Sequence, residues 1–406
     1  MQTDKPTTSF TARRLAVGLA GFCAFINLYA PQAILPLLAG EFSAGPAQIS
    51  GIMTASTLAV ALTAPFTGTV ADVLGRKRVI VSAMAILAIP TIMAALAPTL
   101  SALVFWRFVQ GLVLPPVFAV TIAYIGEEWP RQEATAAVGL YTSGASLGGF
   151  SGRFFTGLLA DLIGWRYAFD VLAVVTLAGA AAVYVMLPRE RRFVRSEGLI
   201  ASTKQMLGHL RNPQLVATYA VGFGVLFNFI ATFTYVSFHL AAPPYSLSPT
   251  WLGTIFVVYL VGTAATPMAG AAVRRFGRRN FVVALMFLWM AGAAITLASP
   301  LPLILVGLAL CAGCGMVCQA ISTSAVTLIA HAGRSSAVGL YVTSFYVGGS
   351  FGAAIGGFAW TYGHWPACVA MLIVMLAIMA TIVIVFWARG SIPPPKTIEL
   401  PPTPAT

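Results

Sequence analysis

The chain has 406 residues, of which 59% are hydrophobic and only 8% are charged. A soluble domain carries about a quarter charged residues, so this composition excludes an ordinary water-soluble fold. The formal net charge of +12 does not indicate a nucleic-acid-binding protein, because the basic residues lie in short loops between apolar runs rather than on one solvated domain. The sequence contains no G-x-x-x-x-G-K-[ST] phosphate loop, so nothing in it points to ATP as an energy source.

Apolar runs divide the chain into twelve predicted membrane spans. A bilayer core about 30 Å thick needs about 20 apolar residues per helix. Runs of that kind, joined by short polar loops, lie near 15–38, 49–72, 79–97, 101–126, 135–158, 165–187, 214–239, 250–273, 280–298, 301–329, 336–360 and 365–388. The predicted fold class is therefore an all-α membrane protein. The first run is longer than a signal-peptide core, so we expect it to remain as the first span.

A charged stretch separates the first six spans from the last six and predicts two bundles. The expected divisions are an N-terminal six-helix bundle, a cytoplasmic linker, a C-terminal six-helix bundle and a cytoplasmic tail, at 1–187, 188–212, 213–390 and 391–406. Among the basic residues, Arg166 lies on the side opposite the N-terminus, Arg107 and Arg153 lie within spans, and all the others lie on the N-terminal side. This asymmetry predicts a multi-pass protein of the bacterial inner membrane with both termini in the cytoplasm.

The two halves repeat one another at an offset of 200 residues. Val138-Gly-Leu-Tyr141 matches Val338-Gly-Leu-Tyr341, and the glycines at 148, 149, 152 and 157 match those at 348, 349, 352 and 357. A weaker copy, at an offset of 202, relates Gly68, Gly75 and Arg76 to Gly270, Gly277 and Arg278. Transporters are often built from duplicated bundles with a site at their interface, so the repeat predicts a pathway between the halves.

The loop after the second span carries a motif, Gly68-Thr-Val-Ala-Asp72-Val-Leu-Gly75-Arg76-Lys77-Arg78. Its glycine allows a tight turn, and its carboxylate can face the N-terminus of another helix. The motif resembles the signature loop of the major facilitator superfamily, although Val73 stands where that family usually has Arg or Lys. The resemblance implies a gating role for Asp72 and Arg76. The alternative is a positively charged loop with one incidental acid.

The fourth span carries Arg107-Phe-Val-Gln110-Gly111, which resembles the motif of the superfamily's twelve-span antiporters. In that branch the arginine is associated with proton movement, so the resemblance implies a coupling role for Arg107 and Gln110. A guanidinium near mid-membrane is costly and normally marks a cavity or pathway. The alternative is an arginine that snorkels to the periplasmic surface.

A stripe of small residues runs along the fifth span, with glycines at 139, 144, 148, 149, 152 and 157. It is similar to the antiporter motif without the usual Gly-Pro pair, and close helix packing is expected in either case. With Asp161-Leu-Ile-Gly-Trp165-Arg166 after it, most of the chain resembles the arabinose-efflux-like and YnfM-like permeases of the drug/proton antiporter branch. Arg153 in this span either snorkels, with Asp161 or Asp170 as its partner, or contacts an anionic substrate.

The resemblance implies that spans one, four, seven and ten line a central cavity. The candidate substrate contacts are polar groups at membrane depth, namely Asn27, Tyr29, Gln32, Arg107, Tyr124, Asn228, Tyr235 and Gln319. For each, the alternative is a hydrogen bond to a neighbouring helix. The five cysteines lie in apolar runs, and we expect them to pack between helices rather than to hold a metal.

The expected function is proton-coupled efflux of a small organic molecule by alternating access. Transport is inferred from the architecture and efflux from the resemblance. No Asp or Glu lies in the middle of a span, so no residue is identified as the proton carrier. The alternatives are an importer, either a proton symporter or a facilitator, and a non-transporting membrane receptor. We expect no enzymatic activity, no cofactor and no nucleic-acid partner, and a monomer whose partners are the substrate, protons and the lipid bilayer.

The repeat also predicts two charge pairs that close the cytoplasmic side. Under the two-fold arrangement of the superfamily, Asp72 faces Arg334 at the start of span eleven, and Arg274 faces Glu133 or Glu128 at the start of span five. The signs are reversed between the copies, so each pair joins opposite charges. Such surface pairs stabilise by about 0.2 to 1 kcal/mol, enough to bias a two-state equilibrium. The alternative is that these are solvated loop charges.

Overall fold

The structured part of the chain is helical. The computed structural model describes residues 10–190, 208–330 and 333–387, and within these ranges there is no strand. We number the long helices α1 to α12 in chain order, with bounds Phe10–Tyr29, 46–74, Arg76–Ala95, Leu100–Glu128, Arg131–Ile163, Trp165–Met186, Pro213–Ala241, Pro249–Phe276, Arg278–Ile295, Leu301–Ile329, 334–362 and 365–386. The predicted fold class, an all-α membrane protein of two six-helix bundles, is confirmed.

Proline and glycine set where the helices bend and break. α2 is interrupted by a 3-10 turn at Ala64–Phe66, where Pro65 cannot donate an amide hydrogen to the helical ladder. α1 continues into a 3-10 turn at Ala30–Ala33 and a short helix at Leu35–Glu41. α11 and α12 are separated by non-helical backbone at 363–364.

Two equivalent glycines turn the chain between α2 and α3 and between α8 and α9. Gly75 has φ 89° and Gly277 has φ 77°, a region that residues with a side chain rarely adopt. The tight turn predicted from the motif is therefore present in both halves. We call the end of the protein that carries these turns the basic end, and the opposite end, which carries the α5–α6 turn at Gly164, the far end.

The glycine stripe of α5 packs against α1, and the second half repeats the contact between α11 and α7. A Cβ atom added at Gly148 would lie 2.8 Å from Phe22 Cα, and one added at Gly348 would lie 2.7 Å from Phe223 Cα. No real side chain fits so close to a neighbouring backbone. The close helix packing predicted from the stripe is confirmed.

The division between the bundles lies partly outside the described residues. α6 ends at Met186 and α7 begins at Pro213. Most of the predicted linker at 188–212, and the predicted tail at 391–406, fall in the ranges 191–207 and 388–406 that the structure does not describe.

Candidate substrate pathway between the two halves

The halves meet tightly at the far end through two contacts that are related by the sequence repeat. A Cβ atom at Gly157 of α5 would lie 2.9 Å from the carbonyl carbon of Pro249, the first residue of α8. A Cβ atom at Gly357 of α11 would lie 2.7 Å from the Cα of Ala47 near the start of α2. Backbone therefore touches backbone across the interface at two-fold related positions, which leaves no room for a pathway there.

Asp161 adds a polar contact across the same interface. Its Oδ2 accepts hydrogen bonds from Ser248 Oγ at 2.9 Å, from the Thr250 amide at 2.9 Å and from Thr250 Oγ1 at 2.5 Å. Ser248 directly precedes α8, so a carboxylate of the first half satisfies the exposed N-terminal donors of a helix in the second half. The equivalent position in the second half is Thr361, which donates to a carbonyl of its own helix, that of Gly357.

At mid-depth the halves are joined by a hydrogen bond and a layer of aromatic rings. The hydroxyls of Thr57 in α2 and Ser350 in α11 lie 2.9 Å apart. The Phe118 ring of α4 stacks on the Tyr346 ring of α11, with centroids 5.9 Å apart. Phe25 of α1 packs against Phe118 at 6.0 Å. We call Phe25, Phe118 and Tyr346 the aromatic layer.

Arg153 lies between the aromatic layer and the far end. The residue is only 1% exposed. Its Nε donates to Gln32 Oε1 at 2.8 Å and its Nη1 to the Gly149 carbonyl at 2.8 Å. Gln32 Nε2 in turn donates to Thr234 Oγ1 of α7 at 3.2 Å, across the interface. The expectation that Arg153 snorkels with Asp161 or Asp170 as its partner is wrong, because Arg153 is buried and forms no ion pair among the described residues. Asp161 caps α8 instead.

Three aromatic rings surround the Arg153 guanidinium, and they come from both halves. The guanidinium carbon lies 4.2 Å from the ring centroid of Tyr29 in α1, 4.5 Å from that of Phe256 and 4.9 Å from that of Tyr259 in α8. These are cation–π distances, at which the ring faces stabilise a desolvated cation. Tyr29 also packs against Phe25, 6.0 Å between centroids, so the cation and the aromatic layer are continuous.

Arg107 is completely buried inside the first half. Its Nη1 donates to the Asn27 carbonyl at 3.0 Å and its Nη2 to the Leu28 carbonyl at 2.6 Å, and Nη1 also donates to Gln110 Oε1. These carbonyls lie at the end of α1, where the last turn of a helix leaves acceptors without partners. Arg107 therefore bonds a neighbouring helix and does not snorkel to the surface.

The same network links four helices of the first half. Gln110 Nε2 of α4 donates to Thr91 Oγ1 of α3 at 2.7 Å, and Asn27 Nδ2 of α1 donates to Thr176 Oγ1 of α6 at 2.8 Å. Thr91 Oγ1 also donates to Asn27 Oδ1 at 3.1 Å. The network holds the outer part of α1, which carries Tyr29 to the interface.

The described helices of the second half do not repeat this network. Asn228 of α7 corresponds to Asn27, but its Nδ2 donates to the Gly224 carbonyl of its own helix at 2.8 Å, and its Oδ1 is buried without a hydrogen-bond partner. Leu308 and Cys311 occupy the positions that correspond to the arginine and glutamine of α4. The polar chemistry at this depth is therefore concentrated in one half.

The remaining substrate-contact candidates have other surroundings. Tyr124 Oη donates to the Pro188 carbonyl at 2.9 Å at the basic end of the first half. Tyr235 Oη donates to the Ala353 carbonyl at 2.5 Å inside the second half. Both hydroxyls bond neighbouring segments, as the alternative interpretation expected. Gln319 of α10 is half-buried.

At the basic end, the motif residues form an ion-pair cluster within the first half. Arg76 donates from Nε and Nη2 to the two carboxylate oxygens of Glu127 at the end of α4. Its Nη2 also contacts Asp72 Oδ1 at 3.2 Å. The fork of the guanidinium thus fixes the α2–α3 turn to α4.

Of the two predicted pairs between the halves at the basic end, the one that involves Arg274 is not formed in this conformation. Among the described residues, Arg274 makes no ion pair, and Glu133 Oε2 is buried without a hydrogen-bond partner. Arg334 begins α11, but its side chain lies outside the described part of the chain, so the contact with Asp72 stays a prediction.

Thr234, Phe256 and Tyr259 at the interface, and Glu127 in the ion-pair cluster, were not predicted from the sequence. Phe256 and Tyr259 are three residues apart and so share a helix face, which was a usable signal. The spacing of apolar residues shows that they share a helix face, but it does not show which helix that face packs against. The contact with Arg153 could therefore not be predicted from the spacing.

Comparison with known proteins agrees with this architecture. A sequence model of the Major Facilitator Superfamily matches residues 17–250 and 228–405. The inner membrane transport protein YnfM of Escherichia coli is 31% identical over 92% of this chain and 89% of that protein. An uncharacterized transporter of Buchnera aphidicola is 30% identical over 92% of this chain and 90% of that protein.

The fold has a close counterpart among solved structures. A bacterial homologue of the human lysosomal transporter Spinster, in an inward-facing and occupied conformation, superposes with a TM-score of 0.75 over 94% of this chain and 97% of that chain, at 15% identity. Relatives and fold identify a multi-pass membrane transporter, not an enzyme. The signature loop, the duplicated bundles and the matched relatives together show that the chain belongs to the Major Facilitator Superfamily.

Proposed function

We propose that the chain exports small organic molecules across the bacterial inner membrane in exchange for protons, by alternating access and as a monomer. In this proposal both termini are cytoplasmic, so the basic end faces the cytoplasm and the far end faces the periplasm. The observation that carries the proposal is the two-fold related contact at the far end, Gly157 on Pro249 and Gly357 on Ala47. Contacts of this symmetry separate together when one half rocks against the other, which exposes a fixed site to each side in turn.

The charges at the basic end support a second state, in which the basic end is closed and the far end is open. With the far end closed, Arg274 has no ion-pair partner among the described residues, and Asp72 uses Arg76 of its own half. We expect closure of the cytoplasmic end to bring Arg274 to Glu133 or Glu128, and Asp72 to Arg334. Each pair is a surface contact worth about 0.2 to 1 kcal/mol, so it biases the equilibrium between states without locking it.

Proton coupling and export rest on the antiporter motif at Arg107 and Gln110. The network places Arg107 against the carbonyls at the end of α1, the helix that brings Tyr29 and Gln32 to the interface. Arg107 in this proposal is a positioning residue. A change in its hydrogen bonds is transmitted to the interface through α1.

A facilitator or importer of the same fold is the second candidate, and one observation favours it. The acids of the described helices, Asp72, Glu127, Asp161 and Asp170 among them, lie near helix ends rather than at mid-depth. A carboxylate within the pathway is the simplest way to carry a proton through a membrane protein.

The proposal is tested by flux in liposomes that contain the purified protein. A panel of anionic, neutral and cationic compounds is offered with an imposed pH gradient, and the same measurement is repeated after a protonophore collapses the gradient. Proton-coupled export predicts flux against the substrate gradient that stops with the protonophore. Downhill flux that ignores the pH gradient would establish the facilitator instead, and no flux of any compound would contradict both.

A further inference from the structure

Arg153 carries a positive charge that no acid of the described chain neutralises. Its partners are the Gln32 amide, a backbone carbonyl and three rings, and none of the ion pairs among the described residues includes it. A charged side chain at membrane depth is costly, and such residues usually serve a pathway or a ligand. The neutral surroundings leave a net positive charge between the two halves.

The fold itself does not require this cation. The repeat aligns Arg153 with Ala353, and the glycines on either side of both positions keep the same register. Ala353 is fully buried, and α11 packs on α7 as α5 packs on α1. The second half therefore builds the same helix contact with a methyl group. Packing does not explain an arginine at this place.

The residues around the Arg153 guanidinium belong to two halves that separate when the far end opens. Tyr29 and Gln32 belong to the first half, whereas Phe256 and Tyr259 belong to α8 of the second half. When the far end opens, α8 leaves α5, and the two rings of α8 leave the guanidinium. Arg153 then faces the opening with Tyr29 and Gln32 beside it. Its Nε and one hydrogen of Nη1 stay bonded within the first half, and Nη2 with the second hydrogen of Nη1 forms a planar fork that can bind two oxygens at once.

We propose that Arg153 recognises the transported molecule and that this molecule is a small organic carboxylate with an apolar or aromatic body. The carboxylate would take the guanidinium fork, which matches its geometry. The body would lie against Tyr29 and the aromatic layer below it. Binding neutralises the buried charge that the Phe256 and Tyr259 rings stabilise when the far end is closed. This assignment rests on the proposed transport function and names its substrate class.

The test compares matched pairs of compounds that differ only in charge. Binding of benzoate and 2-naphthoate, and of the isosteric benzamide and 2-naphthamide, is measured by calorimetry on the full-length protein in nanodiscs, and flux of the same compounds is measured in liposomes. The wild-type protein is expected to bind each carboxylate more tightly than its amide, by at least about tenfold, since charge-assisted hydrogen bonds are stronger than neutral ones.

Arg153→Gln removes the charge and keeps a hydrogen-bonding group. It is expected to lose the preference for the carboxylate and to bind the amide at least as tightly, a reversal that a purely structural role would not produce. Arg153→Lys keeps the charge without the fork and should bind carboxylates with intermediate affinity. Arg166→Gln is the matched control, because Arg166 pairs with Glu41 within the first half and should leave the preference unchanged. Size-exclusion profile and helical content establish that each variant is folded.

Three outcomes would overturn the assignment. The first is a wild-type protein that prefers the amides or binds neither member of the pairs. The second is a folded Arg153→Gln variant that keeps the carboxylate preference within about twofold of wild type. The third is an Arg153→Lys variant that reverses the preference as Arg153→Gln does, although it keeps the charge. Flux of neutral or cationic compounds without binding of carboxylates would refute the substrate class and leave the transport function standing. Absence of all flux would refute the transport function itself.

Discussion

Removing the Asp161 carboxylate should open the far end more often. The carboxylate accepts hydrogen bonds from Ser248 Oγ, the Thr250 amide and Thr250 Oγ1, at 2.9, 2.9 and 2.5 Å. A hydrogen bond to a charged group is worth about 1.5 to 3 kcal/mol when buried. Asp161 is exposed, so solvent screening reduces the whole set to about 1 to 2 kcal/mol. Asp161→Ala should therefore raise the open population about five- to thirty-fold.

A cysteine at position 50 reports that population. Ser50 is 1% exposed, and it lies in α2 beside Ala47, which contacts Gly357 across the closed interface. In a background without the five native cysteines, Ser50→Cys reacts with a membrane-impermeant maleimide only when the far end opens. Asp161→Ala should accelerate labelling by the same five- to thirty-fold factor, and Asp161→Asn, which keeps one oxygen acceptor, should do so less. An unchanged labelling rate in folded Asp161→Ala would refute the role of this contact.

Glu41 provides the matched control at the same end. It accepts a hydrogen bond from Trp165 Nε1 at 2.7 Å and pairs with Arg166, but all three residues belong to the first half. Glu41→Gln should leave the labelling rate at position 50 unchanged.

Burial raises the pKa of Glu41, but the hydrogen bonds from Arg166 and Trp165 outweigh it and hold the pKa below its ordinary value. The contribution of Glu41 to stability is therefore full above its unfolded-state pKa and lost as pH falls through its folded-state pKa, so thermal stabilities of Glu41→Gln and wild type should converge in acid.

Three further results are expected from other parts of the structure. Arg107→Ala should abolish flux, and Arg107→Lys should not restore it fully, because one ammonium cannot hold two carbonyls of α1 in the same plane; normal flux in Arg107→Ala at native expression would be inconsistent with this. Cysteines at the positions of Asp72 and Arg334 should cross-link and arrest flux when the cytoplasmic end closes, and failure to cross-link in every condition would remove that pair. Gly148→Val should lower the free energy of unfolding by about 1 to 3 kcal/mol, because the added side chain overpacks the contact with α1. Thermal unfolding in detergent measures this effect, with Gly139→Ala as the control, since an added Cβ at Gly139 meets no atom within 4 Å.

Features that depend on local sequence were predictable. Span number follows from apolar length, and the α2–α3 and α8–α9 turns follow from Gly75 and Gly277, whose backbone conformation few other residues adopt. The packing of α5 on α1 followed from the spacing of small residues, because close backbone approach needs positions without side chains. Each of these properties is set by residues within one segment.

The contacts of the pathway were not predictable, because they join residues from helices that are distant in sequence. Arg153 was expected either to pair with Asp161 or Asp170, which are near it in the chain, or to contact an anionic substrate. In the structure α8 packs on α5, so Asp161 bonds Thr250 and the Arg153 guanidinium lies over the Phe256 ring. Arg107 was predicted to mark a cavity or pathway, with snorkelling as the alternative. Its burial excludes snorkelling, but its acceptors are carbonyls of α1, which any helix end could have supplied. The residues that each of these side chains contacts are decided by tertiary packing. A single sequence carries no direct information about that packing.

Alternating access is tested most directly by distances measured at both ends of the same helix pair. Spin labels at Leu162 and Trp251 report the far end of α5 and α8, and labels at Thr135 and Phe276 report their basic end; all four side chains are exposed. Double electron–electron resonance on the protein in nanodiscs, with and without substrate and at two pH values, should reveal two states. The far-end distance should lengthen under the same conditions in which the basic-end distance shortens. Distances that stay fixed at both ends, or lengthen at both ends together, would contradict alternating access.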